Sequence, residues 1–478
     1  MKLPIILFRF LKVYPYDQIV GIHDIKLVQT ISNHAMLTLD AIVTEEIKDL
    51  YVAMTSIETM ITVQSEGIGE EALVLFQGMV THIKVKVVRD VYHLCIEAAS
   101  MTYKLSLMNR SRSFQDAKMP ISEIVKQVLA PYEGAGVIFY KNDTLTLYNF
   151  FLQFVQNDWD FLVMLASEFH TGIIASCESS TPKLYFGIMK NMPAVTLTET
   201  NYTTEKRILP ADAGPSAYDG GYSMAYRVQS NMLLTMGQPV LFQGQTLYVE
   251  SIDTHIEKGE LVHGYSLTDA EGLQQKRIYN EKIVGTAMEA MVLAVQGTRV
   301  KLHLSIDEYQ DKEKARWFEY ASMYSSGIIS GIYMMPEIGD RVRLYFADVH
   351  EAGCFVINSV NRLWPYYKER DESQFGLERD RWKDPAVKSI KAHGKEIILA
   401  PDRIIMQATD VSITWHDEDG VTITTKNNIK IRADELINIS AAEIRVDGEE
   451  KVQITCGGSN INMTPGGVRI DGSDIKMG

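Results

Sequence analysis

Residues 421–456 read VTITTKNNIKIRADELINISAAEIRVDGEEKVQITC, and the pairs Val421/Ile423, Ile429/Ile431 and Ile437/Ile439 each bracket one polar residue. The same apolar-x-apolar triplet runs from EIILA at Glu396 to DIKMG at Asp474, recurring about every eight residues with Gly, Asp and Asn between copies, which marks an internal repeat. Strand side chains alternate between faces, so Val421, Ile423, Ile429, Ile431, Ile437, Ile439, Val468 and Ile470 fall on one face and Thr422, Lys430, Asn438 and Arg469 on the other. A strand this short cannot bury its apolar edge alone, and neighbours must stack on it. The repeat therefore demands a β-helix. Two geometries satisfy it: a single-chain solenoid of three strands per coil, rising about 18 Å over some eleven strands, or an interlaced trimer in which each strand adds a layer and the same residues reach about 50 Å.

Upstream of this region, at 393–478, the protein is modular, as 478 residues exceed what one hydrophobic core usually serves. Residues 1–101 alternate apolar and polar positions in short runs such as AMLTLDAIV and YHLCIEAAS, with Gly67, Gly69 and Gly78 read as breaks, and predict a first β-barrel. MKLPIILFRFLKVYPYD reads as its first strand, not as a signal peptide, because Arg9 interrupts the apolar run and no small-residue cleavage site follows. Residues 102–191 carry helical spacing. ISEIVKQVLAPY predicts a helix capped by Ser122 with Ile121, Ile124, Val125, Val128 and Leu129 on one face. NDWDFLVMLASEFHTG predicts a second, capped by Asn157 or Asp158, with a stripe of Phe161, Leu162, Leu165 and Phe169. Residues 192–275 return to strands around Gly237, Gly244 and Gly259, a second barrel, after a loop-rich passage over 200–221. Residues 285–362 hold five or six short strands of an OB-type barrel, and 363–392 form a charged, aromatic linker. The expected class is mainly β, with a small α/β insertion between the first two β-domains.

The formal net charge of −14 argues against nucleic acid or an anionic membrane surface as partner, since such binding is driven by basic groups. No stretch approaches the roughly 20 apolar residues that cross a bilayer as a helix. Cys95, Cys177, Cys354 and Cys456 are scattered and read as small buried hydrophobes. No His-x-His pair closes the sequence, His393 and His416 lie far upstream and unpaired, and neither a metal site nor a cofactor site is expected.

Two stretches carry a family resemblance. NRSRSFQDAKMPISEIVKQVLAPY followed by QFVQNDWDFLVMLASEFHTGI resembles the hub of the VgrG family and of phage tail hub proteins, with Gln153, Asp158, Phe161, Leu162, Leu165 and Glu168 in register and His170-Thr171 departing from the pattern before Gly172. MPEIGDRVRLYF with its Gly339-Asp340 turn, followed by GCFVINSVN and preceded by Trp317, resembles the OB domain of VgrG and baseplate spike proteins. The resemblance spans most of the sequence as domain order. It implies a homotrimer with two hub barrels per subunit, six-fold pseudo-symmetry, docking on an inner tube protein, contacts with baseplate proteins, carriage of effector cargo, and a C-terminal prism made by three subunits, which selects the interlaced β-helix over the solenoid. The closing IKMG suggests docking of a PAAR-type tip protein through Ile475, Met477 and Gly478. Assembly is expected in the cytoplasm, with delivery outside the cell in the injection particle.

No G-x-S-x-G, H-E-x-x-H, P-loop or dinucleotide fingerprint is present. Asp307/Glu308 and Asp417/Glu418/Asp419 could be read as glycosidase carboxylates, yet both groups sit between strands and are expected to be solvated turns. The protein is therefore read as non-enzymatic. A tailspike-like polysaccharide depolymerase is the alternative; it explains the repeat and not the hub. A non-enzymatic surface adhesin would need a secretion signal.

Overall fold

The computed structural model describes residues 10–66, 72–140, 150–187, 192–209, 221–323, 325–326, 330–331, 334–359 and 386–476. The protein divides into one unit over Met1–Arg362 and another over Leu363–Gly478. Gly67, Gly69, the start of the expected first strand and most of the expected linker lie outside the described residues.

The hub strands do not form two separate sheets. A twelve-stranded sheet runs in the order Leu11–Tyr14, Met60–Ser65, Leu73–Val88, Val91–Ser100, Met36–Val43, Gly21–Thr30, Gln245–Glu257, Glu260–Thr268, Gly221–Ser230, Tyr202–Leu209, with Pro239–Phe242 and Val195–Thr196 off this path. The seam is the antiparallel pairing of Gly21–Thr30 with Gln245–Glu257, in which Ile252 faces Gln29 and Thr254 faces Leu27. Two apolar cores persist on either side. One gathers Leu37, Leu39, Ile61, Phe76, Leu94 and Ile96; the other gathers Tyr226, Val240, Phe242, Val249, Tyr265 and Leu267. The two halves are thus separate in packing and joined in hydrogen bonding, a distinction that side-chain periodicity does not record.

Four local expectations are corrected. Helix α1, Glu45–Met54, stands in a stretch read as strands; its acidic first turn, Glu45 and Glu46, suits a helix N-terminus, but Tyr51 is its only buried residue, so its apolar stripe was weak. Helix α2, Ile121–Leu129, buries the five expected residues, yet the residue before it is Pro120, with no side-chain cap, and Ser122 lies inside the first turn. Tyr202–Leu209 is a full strand paired with Gly221–Ser230, not loop. Gly78 lies within Leu73–Val88 and makes no turn: a Cβ there would stand 2.2 Å from the Ala99 carbonyl oxygen, so the residue lets two strands approach.

Helix α3, Asp158–Ser167, begins as expected, with Asn157 accepting from the Asp160 N–H at 2.8 Å. It packs with α2 and the strands Ile173–Ala175, Lys183–Phe186 and Gly136–Phe139 around Phe161, Leu162 and Leu165. The strand Phe151–Asn157 hydrogen-bonds to Asn109–Phe114, while Phe150 and Leu152 leave this core for the next one. That next core belongs to the five strands Trp317–Glu319, Arg299–Leu304, Ala287–Gln296, Arg341–Tyr345 and Phe355–Ser359, in this sheet order. A parallel bridge between Tyr320 and Val356 joins the first of these to the last. Gly339, at φ +94°, makes the expected turn into Arg341–Tyr345.

The second unit is built from consecutive hairpins. Lys388–Ala392, Lys395–Ala400, Arg403–Ala408, Val411–His416 and Gly420–Thr425 form one antiparallel sheet, and Val452–Cys456, Ser459–Thr464 and Gly467–Asp471 another. His393 and Gly394, at φ +49° and +72°, supply the tight turn of the first hairpin, whose opening strand precedes the expected boundary at 393.

Candidate assembly surface

Cross-strand register decides what the second unit presents. Ile390, Ile397, Met406, Ile413 and Ile423 stand opposite one another across the five strands, and Leu399, Ile404, Trp415 and Val421 form a second row. Both rows lie on one face, because positions two apart share a face. The other face carries Glu396, Ile398, Ile405, Gln407, Ser412, Thr414, Thr422 and Thr424. In the second sheet the rows are Val452, Met463, Val468 and Ile454, Ile461, Ile470. The expected pairs Val421/Ile423 and Val468/Ile470 are therefore each on one face, in register with apolar partners.

Most of these side chains are exposed: Val421 is 62% exposed and Val468 66%, while Ile413 and Val452 are half-buried. Among the described residues of 386–476, no apolar side chain is buried, and none joins any of the four apolar cores. Contiguous exposed apolar rows of this kind mark interaction surfaces.

The middle of the repeat departs from expectation. Ile429, Ile431, Ile437 and Ile439 lie in 426–451, where no strand forms, because no neighbouring segment of the same protomer pairs with that backbone. All described strand pairs of this unit are antiparallel between sequence neighbours, so the described residues do not build a parallel single-chain solenoid. Ile475 is exposed, whereas Met477 and Gly478 lie outside the described residues.

In the first unit, the residues of the hub resemblance meet in a buried polar network. Asp158 is fully buried. Its Oδ1 accepts from Gln153 Nε2 at 2.8 Å and from Arg112 Nη2, and its Oδ2 accepts from the Tyr132 hydroxyl at 2.7 Å, with Arg110 Nε at 3.1 Å. Burial and the bond to Asp158 push the Tyr132 hydroxyl up to about 12. Gln153 and Asp158 were legible as a spaced pair. Arg110, Arg112 and Tyr132 were missed, since they lie in other elements and no local period links them.

The remaining candidates sort plainly. Asp307 is no solvated turn: it accepts from the Ser113 N–H at 2.7 Å and from the Ser113 hydroxyl, and desolvation raises its carboxyl. Glu308 and Asp417, Glu418 and Asp419 are exposed. His416 lies 3.5 Å from Asp402 and 3.4 Å from Asp419. Cys177 and Cys354 are buried with thiols pushed up to about 12 by desolvation, while Cys95 is half-buried and Cys456 exposed, against expectation. Among the described residues no cluster of three or more metal-ligating side chains occurs, and no helix is long and apolar enough to cross a membrane.

No curated protein matches this sequence. The family model of the Alg8 N-terminal domain matches residues 58–198, well under half of the sequence. Among solved structures, a subunit of the half-lidded Francisella PdpA-VgrG complex is similar at a TM-score of 0.54 and 7% identity, over 85% of this protein and 84% of that one. A subunit of the lidless PdpA-VgrG complex is similar at 0.52 and 8% identity, over 85% and 94%. The E. coli c3393 protein, described as a type VI secretion component with structural similarity to T4 tail proteins gp27 and gp5, is similar at 0.49 and 13% identity, over 73% and 99%. A mainly β protein that superposes along 85% of its length on these complexes is VgrG-like in fold.

Proposed function

We propose that the protein is the central hub and spike subunit of a contractile injection machine, acting as a homotrimer and without catalysis. One observation carries the reading: a VgrG-like fold includes a unit whose sheets present continuous apolar rows and, among the described residues, own no core. Three copies that turn these rows inward would bury them in a shared interior, so that folding of this unit and assembly become one event. The resulting prism is the triple-stranded β-helix implied by the repeat.

The other modules take roles from this arrangement. The joined hub halves, with separate cores, suit three subunits forming a ring with pseudo-six-fold symmetry on an inner tube protein. The strand order of 287–359, closed by the parallel bridge from Tyr320 to Val356, supports an OB-type barrel serving as a collar. Baseplate proteins, effector cargo and a PAAR-type tip at Ile475 and beyond are the further partners of this reading. Thrust comes from contraction elsewhere in the machine, and the trimer transmits it across a target envelope.

Multi-angle light scattering and negative-stain images of the full-length protein test the proposal together. The expected result is a mass three times that of one protomer and a thin protrusion from a broader base. A monodisperse monomer, or a trimer without a protrusion, overturns it.

A further inference from the structure

Three segments of the first unit converge at the end of α3. Ser167 and Glu168 close the helix, and the connection through 275–279 lies over them: the Ile278 N–H donates to Ser167 Oγ at 2.9 Å and the Gln275 N–H to the His170 carbonyl at 3.2 Å. His350 and Glu351 arrive from the loop between Arg341–Tyr345 and Phe355–Ser359. Arg277 Nη2 meets Glu168 Oε1 at 2.5 Å, and its guanidinium lies 4.9 Å from the Tyr279 ring centre. Tyr279 packs edge-on against His350, also at 4.9 Å.

The charge count is uneven. Glu351 is only 5% exposed, and the Glu168 side chain only 10%. Two buried carboxylates thus stand at this junction: Glu168 is paired with Arg277, whereas Glu351 makes no ion pair among the described residues, and His170 and His350 are the other titratable neighbours acting on Glu168. With both carboxylates ionised, one negative charge stays in a low-dielectric interior without a counter-ion. A proton on either carboxylate removes that imbalance.

We propose that Glu168, Arg277 and Glu351 form a proton-controlled latch between the barrel strands 287–359 and the helix-bearing part of the hub. The latch is closed while the three groups share one proton. When Glu351 ionises, its loop swings out to hydrate the carboxylate. The barrel stays attached through Phe150 and Leu152, which remain in its core and act as the pivot.

The direction of the pH dependence follows. Burial pushes Glu351 from its ordinary 4.5 up to about 7, with Glu168 adding to the rise and Arg277 opposing it. The folded protein therefore holds a proton that the unfolded protein has released. The stabilisation is complete below about pH 4.5 and is lost as pH rises through about 7. His34 and His263, brought down to about 4 by burial, act in the opposite sense, losing stability as pH falls from 6.5. Asp307, raised by desolvation at the Ser113 contact, is the other carboxylate at this joint.

Hydrogen exchange on full-length protein, corrected for the intrinsic pH dependence of the chemistry, tests the latch. Between about pH 5.5 and about pH 8.5, exchange over 348–354 should rise about tenfold or more in the wild type and less than about twofold in Glu351→Gln. Unchanged exchange in Met36–Val43 shows that both proteins are folded. Should Glu351→Gln fail that control, Glu168→Gln takes its place and must flatten the same response. No rise in the wild type, or an equal rise in the variant, overturns the proposal.

Discussion

Asp158 illustrates how one side chain can organise a fold. Its carboxylate gathers Gln153, Arg112, Arg110 and Tyr132 into one network at the head of α3, where it is the carboxylate that faces both arginines. Removing one partner of such a network costs more than the net strength of its bonds, because the charges left behind stay buried. Asp158→Ala should therefore destabilise the hub by about 3–5 kcal/mol. The check is the denaturant midpoint of the hub transition, and a loss below about 1 kcal/mol would show that the arginines find water instead. Asp307 belongs to the same scale: a residue that reads as a loop acid becomes a cap on Ser113, 194 positions away in the sequence.

At the scale of elements, the repeat behaves in two ways. Residues 388–425 and 452–471 fold into hairpins, as tight turns bring sequence neighbours into register. Residues 426–451 keep the triplets and find no ladder, so their backbone groups need partners from another protomer if they are to be buried. On the proposed assembly, Ile431→Asp should abolish trimers, since it would set an unpaired charge in the interior that three copies would share. Lys430→Asp, the neighbouring position and assigned to the outer face, should leave the mass unchanged. Light scattering distinguishes the two, and a normal trimer from Ile431→Asp refutes the inward assignment. α1 gives the converse lesson: it folds on the barrel with a single buried residue, Tyr51, and so left little periodicity to read.

For the whole molecule, the contrast between the units sets the energetics. The first holds four apolar cores; the second holds none among its described residues. In the proposed trimer, stability of the second unit depends on association, so its thermal midpoint should rise with protein concentration, while the hub transition should not. Calorimetry across about a hundredfold range of concentration measures this. A midpoint for the second unit that stays fixed, in a dissociable sample, would mean that it closes on itself.

Mainly β character, the helices at 121–129 and 158–167, the turn at Gly339 and the apolar face of the repeat were all legible in the sequence, because each is set by side-chain period and local turn chemistry. Only the tertiary structure decided that the hub strands join in one sheet, that Gly78 marks a close approach, and that Arg110, Arg112 and Tyr132 gather on Asp158. Those outcomes depend on which distant segments pair, and pairing across long separations leaves no period in the sequence. The uneven charge at Glu168, Arg277 and Glu351 is of the same kind: it arises where three remote segments exclude water together.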